Sequence, residues 1–323
     1  MSLAIAALLV LSGCGPSVPR QLVWVEIPAD ATLSAVSESL AVHGVVANPG
    51  AFEEYVRQRR LEAVIRPGAY RLGTGLRPID VVWAIRRFSP MEQVVVLERM
   101  TVAELAVELE QRLNLPVESV LVAARDSALR ARVGARAATV EGYLYPTTYY
   151  VPRYATARQL LRQMVDTFET RWDPAWNARL DVLGLSRDEA VTLASIVAGE
   201  MPDDGDIDTV SSVYHNRLSR GMRLQADPTV VYALGERRRL TFQDYRVPSP
   251  YNTYLHRGLP PGPIGQPSAE SMHAALYPAE TDYLYMVSTN AGHFAFSQTY
   301  RGHLETIADD RGTGHGRSAH STR

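Results

Sequence analysis

The sequence predicts an α+β protein in which a small βα subdomain is followed by a larger mixed α/β domain. Three observations carry this expectation. An apolar strand-like run followed by a helix with a threonine cap occurs twice in the first part of the chain, at a constant offset. Capping boxes mark further helix starts, and apolar residues recur at helical spacing through much of the second half. With 323 residues, 46% apolar and 21% charged, the chain has globular composition and enough length for two cores.

The elements follow in order. Residues 3–11 are apolar, and Leu11-Ser12-Gly13-Cys14 places small residues before the thiol. This resembles the lipobox of bacterial lipoproteins, in which the Cys becomes the acylated N-terminus. The run is shorter than the roughly 18 apolar residues of a membrane span. Residues 1–16 are therefore read as a signal with its lipobox, or as the end of a longer membrane anchor, because no basic residue precedes the run. Either reading places the rest of the chain outside the cytoplasm. A buried N-terminal strand is the third reading, and Gly13-Cys14-Gly15-Pro16 would end it poorly.

After a linker at residues 17–21, residues 22–27 alternate like a strand and a helix starts near Thr32. Residues 52–61 look helical, 68–72 look like a short strand, and 78–88 again carry apolar residues at helical spacing. Val94-Val95-Val96 then leads into Thr101-Val102-Ala103-Glu104, a capping box that repeats the first βα pattern. The strand–helix–helix–strand order over residues 22–92 resembles a LysM-like module; it equally suits a small α+β domain without a ligand. Residues 93–308 form the second domain, and the Gly-, Ser-, Arg- and His-rich residues 309–323 read as a disordered tail.

Composition excludes several chemistries. All 33 basic residues are Arg, so Walker-A phosphate binding, Schiff-base catalysis and pyridoxal chemistry have no lysine. One Cys excludes disulfide frameworks and Cys-ligated zinc or iron–sulfur sites. A net charge of −2 gives no general reason to bind nucleic acid. His215, His256, His273, His293 and His303 lack metal-ligand spacing, and no G-x-S-x-G elbow is present, so neither a metal nor any other cofactor is expected.

Residues 154–172 read as an ordinary amphipathic helix whose apolar side is core. The next helix carries the sharpest signal. Ser186-Arg187-Asp188-Glu189 is a capping box, with Leu185 and Ala190 placed as a hydrophobic staple, and Pro202 ends the run. Glu200 follows Val197, Ile196 and Leu193 by three, four and seven residues, which puts its carboxyl on the apolar face. It also stands at the helix C-terminus, where the dipole disfavours negative charge. Both effects push its pKa up, as a general acid requires; a Glu at a frayed helix end reaching solvent is the plain alternative. Beyond it, loops that mix aromatic, amide and proline residues suit a groove that stacks on sugar rings.

Glu141-Gly142-Tyr143-Leu144-Tyr145-Pro146, Ala194-Ser195-Ile196-Val197 ending in Glu200, Asn216-Arg217-Leu218, Leu224-Gln225-Ala226-Asp227-Pro228-Thr229, Tyr251-Asn252-Thr253-Tyr254 and Gly258-Leu259-Pro260-Pro261-Gly262 occur in this order. Together they resemble the successive motifs of the YceG-like endolytic murein transglycosylases, the MltG family, from the first βα unit to about Ala308. The resemblance implies a LysM-like subdomain, a catalytic domain, an anchor in the cytoplasmic membrane facing the wall, and Glu200 as the catalytic residue. The sequence departs from the family pattern at Ala198, where an acidic residue often stands, and in its lipobox, where a transmembrane helix is usual.

The implied reaction is cleavage of the bond between N-acetylmuramic acid and N-acetylglucosamine without water, leaving a 1,6-anhydro ring. Binding roles are expected for Gln225 and Asn252 as hydrogen-bonding residues and for Tyr251 and Tyr254 as stacking residues. Glu141 and Asp227 serve either as substrate-binding or as loop-holding carboxylates. Expected partners are peptidoglycan strands, the membrane and, through the family only, penicillin-binding synthases. Two other readings stay open: a hydrolase using Asp227 or Glu141 as second carboxylate, and a non-catalytic wall-binding scaffold.

Overall fold

The structure is a computed structural model that describes residues 21–28, 31–87, 91–153, 155–200, 207–289 and 293–316. The apolar run at residues 3–11 and Cys14 lie outside them, as does Pro202. Among the described residues the protein is mixed α/β, and no helix is long and apolar enough to cross a membrane. The chain divides into two compact units between Glu92 and Gln93.

In the first unit, β1 (Leu22–Ile27) precedes α1 (Leu33–Val42) and α2 (Pro49–Gln58), and β2 (Gly68–Gly73) returns antiparallel to β1. The register pairs Leu22 with Gly73 and Ile27 with Gly68. Alternation along β1 buries Val25 and Ile27 while Glu26 stays exposed, and Val36, Leu40, Phe52, Tyr70 and Leu72 complete that core. Thr32 caps α1 by accepting the Ala35 N–H. The sequence places the start of α2 at Phe52, but the helix begins three residues earlier. Asn48 accepts the Ala51 N–H and Pro49 occupies the first turn, where its missing N–H costs nothing. α3 (Pro78–Arg87) follows, and β3 (Met91–Val95) runs across the division between the units.

The second unit continues with α4 (Val102–Leu113), α5 (Val117–Ala124), α6 (Ser127–Val133), β4 (Thr148–Pro152), α7 (Ala157–Arg171), α8 (Ala175–Leu183) and α9 (Arg187–Glu200). After it come α10 (Ile207–Ser219), α11 (Asp227–Leu234), α12 (Ala269–Leu276), the antiparallel hairpin β5 (Tyr285–Ser288) and β6 (Phe294–Ser297), and α13 (Tyr300–Gly316). The structure differs from the expected tail here, since α13 extends through Gly316.

The capping box of α4 forms as read, with Thr101 and Glu104 bonding each other's backbone. Ser186 and Glu189 do the same before α9. α9 itself differs from the one-sided helix that the sequence suggested. Every residue from Ala190 to Ala198 is buried, and α8, α10, α11 and α12 pack around it. A helix apolar on all sides belongs in the middle of a core.

Its few polar side chains are satisfied at once. Thr192 donates to the Asp188 carbonyl, Ser195 donates to the Thr192 carbonyl, and Asp188 accepts the Tyr143 hydroxyl at 2.7 Å and the Arg136 N–H at 3.2 Å. The Tyr143–Asp188 bond ties the loop after α6 to the first turn of α9. We expect Tyr143→Phe to lower the thermal midpoint, with a loss of about 1–3 kcal/mol, because a buried carboxylate loses a donor while the ring packing stays. An unchanged unfolding curve would show that this bond does not anchor α9.

Candidate active site

The last residue of α9 meets a cleft of about 670 Å³, lined among others by Glu200, Ser195, Glu141, Asp227, Pro228, Tyr232 and Arg99. Glu200 is half-buried there, and Tyr214 of α10 donates its hydroxyl to Glu200 Oε1 at 2.7 Å. Burial pushes the Glu200 carboxyl up to about 7. The Tyr214 hydroxyl pulls it back, the negative charge of Asp227 raises it further, and Arg217 lowers it. The outcome is a carboxyl that keeps a substantial share of its proton near neutral pH, yet has a donor in place for its charged form.

Arg217 sits one turn beyond Tyr214 and is buried. Its guanidinium donates to the carbonyls of Leu284, at 2.7 Å, and Leu224, which satisfies it without a direct bond to Glu200. α11 is set against α9 by an unusually close approach. A Cβ on Gly199 would lie 2.5 Å from Pro228 Cβ, so only glycine fits beside that ring. Pro228 stands in the first turn of α11, where proline is tolerated. Asp227 also lies in that turn, favoured by the helix dipole, and accepts the hydroxyls of Tyr254 at 2.6 Å and Tyr245 at 3.2 Å.

The loop residues expected to touch sugar are placed differently from one another. Asn252 is fully buried: both amide hydrogens go to the carbonyls of Tyr245 and Val247, and its oxygen accepts the Tyr254 N–H. An amide has two hydrogens to give, so none is left for a sugar, and Asn252 acts as the brace of its own loop. Tyr254 uses its hydroxyl on Asp227 and packs its ring on Tyr245 with 4.5 Å between centroids. Tyr251 packs on Tyr232 at 4.8 Å. Gln225 is exposed, holds φ = 50°, and its N–H donates to Thr253. None of these four lines the cleft, whereas Glu200, Glu141 and Asp227 do.

Glu141 is buried, and its carboxyl is pushed up to about 8 by that burial. The Val102 N–H reaches both its oxygens at 3.1 and 3.0 Å, and the Gln266 amide donates at 2.6 Å. Gln266 in turn accepts the Leu144 N–H. One side chain thus joins the start of α4, the loop after α6 and the loop before α12, the loop-holding role weighed for it above.

Sequence reasoning missed Tyr214, Tyr232, Gln266 and Arg99 as parts of the site. Tyr214 carried a signal of a kind, since a tyrosine on the apolar face of a helix needs a partner for its hydroxyl when buried. Nothing in its spacing named Glu200 as that partner. Among the described residues no group of three or more His, Cys, Asp or Glu side chains is placed to hold a metal ion.

With this geometry established, comparison with known proteins gives consistent matches. Residues 25–309 match the YceG-like family. A Bacillus subtilis protein named endolytic murein transglycosylase is 26% identical over 305 residues, covering 88% of this chain and 83% of that protein. A Streptococcus pneumoniae protein of the same name is 24% identical over 90% of this chain, which spans 58% of its length. The crystal structure of a yceG-like protein from Listeria monocytogenes superposes with a TM-score of 0.63 at 32% identity, covering 88% of this chain and 98% of that one.

The two groups flanking Glu200 pull its titration in opposite directions, and each is removable by one substitution. Tyr214→Phe should raise the Glu200 pKa above about 7, because a donor to the charged form is lost. Asp227→Asn should lower it, because a nearby negative charge is lost. Carbon-13 NMR titration of the glutamate carboxyls, assigned with Glu200→Gln, measures both; shifts of the same sign would sink this account of the site.

Proposed function

The chain belongs to the YceG-like family, and from that premise we propose that it is an endolytic murein transglycosylase, a lyase that cuts within peptidoglycan glycan strands and leaves 1,6-anhydro-muramic ends. The observation that carries the reading is one carboxyl, Glu200, pushed up to about 7 in a cleft and already hydrogen-bonded by Tyr214. Glu200 protonates the oxygen that links N-acetylmuramic acid to N-acetylglucosamine, and that bond breaks. The muramic N-acetyl group stabilises the cation-like carbon. The carboxylate left on Glu200, now favoured by the Tyr214 hydroxyl, takes the proton of the muramic C6 hydroxyl as its oxygen closes on C1. The proton returns to Glu200, no water is consumed, and one residue serves as acid and then base.

The other two carboxyls of the cleft suit support better than a second catalytic role. Glu141 is held by three donors, and Asp227 accepts two tyrosine hydroxyls. An ordinary glycosidase needs a second carboxylate free for water or for the sugar. Gln225, exposed beside Asp227, is the proposed hydrogen-bonding residue for an acetamido or hydroxyl group, with Tyr251 and Tyr254 shaping the adjoining loops. Antiparallel β1 and β2 separated by two helices support reading the first unit as a LysM-like wall-binding module. An N-terminal anchor, lipid on Cys14 or a membrane helix, would hold the enzyme on the outer face of the cytoplasmic membrane, beside nascent strands and the penicillin-binding synthases. Cutting there would set strand length during wall synthesis.

Mass spectrometry of products from uncrosslinked strands tests the reaction. Wild type should give anhydro-muramic ends, and Glu200→Gln should lower their rate by at least about a hundredfold; reducing ends would mean a hydrolase. Because the acid must start protonated, kcat/KM should fall as pH rises through about 7. A rate that climbs through that range would contradict Glu200 as the acid.

A further inference from the structure

We infer that Arg99 forms an anion subsite in the cleft that receives a carboxylate carried by the lactyl side arm of the muramic residue, whether the lactyl group's own or one on its attached peptide. The inference rests on the proposed substrate and goes beyond it by naming which substituent this chain reads. Arg99 lines the same cleft as Glu200. It is exposed, and among the described residues its guanidinium has no hydrogen-bond or ion-pair partner. The other two arginines of the cleft are committed. Arg237 pairs with Glu104 at 2.6 Å, and Arg238 pairs with Asp244 at 2.7 Å and Glu236 at 2.6 Å. Among the described residues, the unsatisfied cation of this cleft is therefore Arg99.

Its backbone is the second observation. Arg99 holds φ = 66°, a left-handed conformation that disfavours side chains with a Cβ. The surroundings enforce it. The Arg99 N–H donates to the Gln266 carbonyl at 2.7 Å, the Gln266 N–H donates back to the Met100 carbonyl, and Arg237 Nη2 holds the Arg99 carbonyl at 2.5 Å. On the far side of that pair, a Cβ on Gly265 would lie 2.6 Å from the Arg99 oxygen. Glycine would occupy position 99 with less strain, so a long cation there is bought at a conformational cost. Strain held at a cleft wall points to use, and a guanidinium is suited to grip a carboxylate with two parallel bonds. Muramic acid brings that group into a cleft whose acid acts on the adjacent glycosidic bond.

The backbone also makes the test clean, since Arg99→Gly places the residue that φ = 66° prefers and should melt no lower than the parent. Binding is measured by calorimetry with the full chain carrying Glu200→Gln, which binds without cutting, with and without Arg99→Gly. Three strand preparations serve as probes: intact strands with their peptides, strands stripped of peptide to leave the lactyl carboxylate, and intact strands whose carboxyls are converted to neutral methylamides. Arg99→Gly should weaken binding of intact strands by about tenfold or more, with a smaller loss in high salt, and should leave the methylamide strands unchanged. In intact strands the lactyl carboxyl is tied up as the amide to the peptide, so a loss there reads a peptide carboxylate. A loss on stripped strands shows that the subsite also takes the freed lactyl carboxylate, and no loss there confines it to the peptide's. Arg99→Lys should recover part of the affinity. An equal loss on charged and neutral strands, or no loss on intact ones, overturns the subsite. Failure of the wild type to cut any strand counts instead against the proposed reaction, which the binding comparison does not use.

Discussion

The rest of this architecture depends on the burial of α9. A fourteen-residue helix enclosed from Ala190 to Ala198 leaves no solvated side for stray polar groups, so Thr192 and Ser195 turn their hydroxyls back to the helix's own carbonyls. Four helices pack around it, and from Gly199 onward, at its C-terminal end, the enclosure opens onto the cleft. Whatever residue stands there inherits a desolvated setting on one side and a cavity on the other. Glu200 is that residue, and its chemistry follows from where the core stops.

The electrostatics of the site are a contest in which no single group decides. Burial and Asp227 oppose the charge on Glu200, while Tyr214 and Arg217 favour it. Arg217 exerts its effect through its charge, with two of its donors placed on the carbonyls of Leu284 and Leu224 and no hydrogen bond to Glu200 among the described residues. This matters for the proposed role, in which Glu200 gives a proton and then takes one. A carboxyl pushed far up would hold its proton too tightly to donate, and one left at its ordinary value would have none to give. Support for the surrounding walls comes from carboxyls with other duties, Glu141 on three segments and Asp227 on two tyrosines.

Much of this was legible in the sequence where local rules operate. Thr32, Thr101 and Ser186 announced their helices, and the spacing of Leu193, Ile196 and Val197 before Glu200 placed the carboxyl on an apolar surface. Asn48-Pro49 was also a local signal, and reading it would have moved the start of α2 to its true position. Long-range pairing was not legible. That Tyr214 meets Glu200, that Gln266 meets Glu141, and that Asn252 turns inward to hold Tyr245 and Val247 depend on how distant segments meet. Residue type misled at Asn252 for the same reason, since an amide in a tyrosine-rich loop reads equally well as a sugar ligand or as a brace. The tail at residues 309–316 shows the converse: glycine-rich composition suggested disorder where α13 continues.

The contact between Gly199 and Pro228 has a consequence for how such a site changes over generations. With a bare Cα against a rigid ring, the spacing of α9 and α11 is gauged by main chain, and no rotamer can drift to widen or narrow it. Glu200 and the aspartate whose charge raises its pKa are therefore carried on a fixed ruler. The distance between Glu200 and Asp227 resists gradual adjustment, since any side chain at position 199 meets the Pro228 ring.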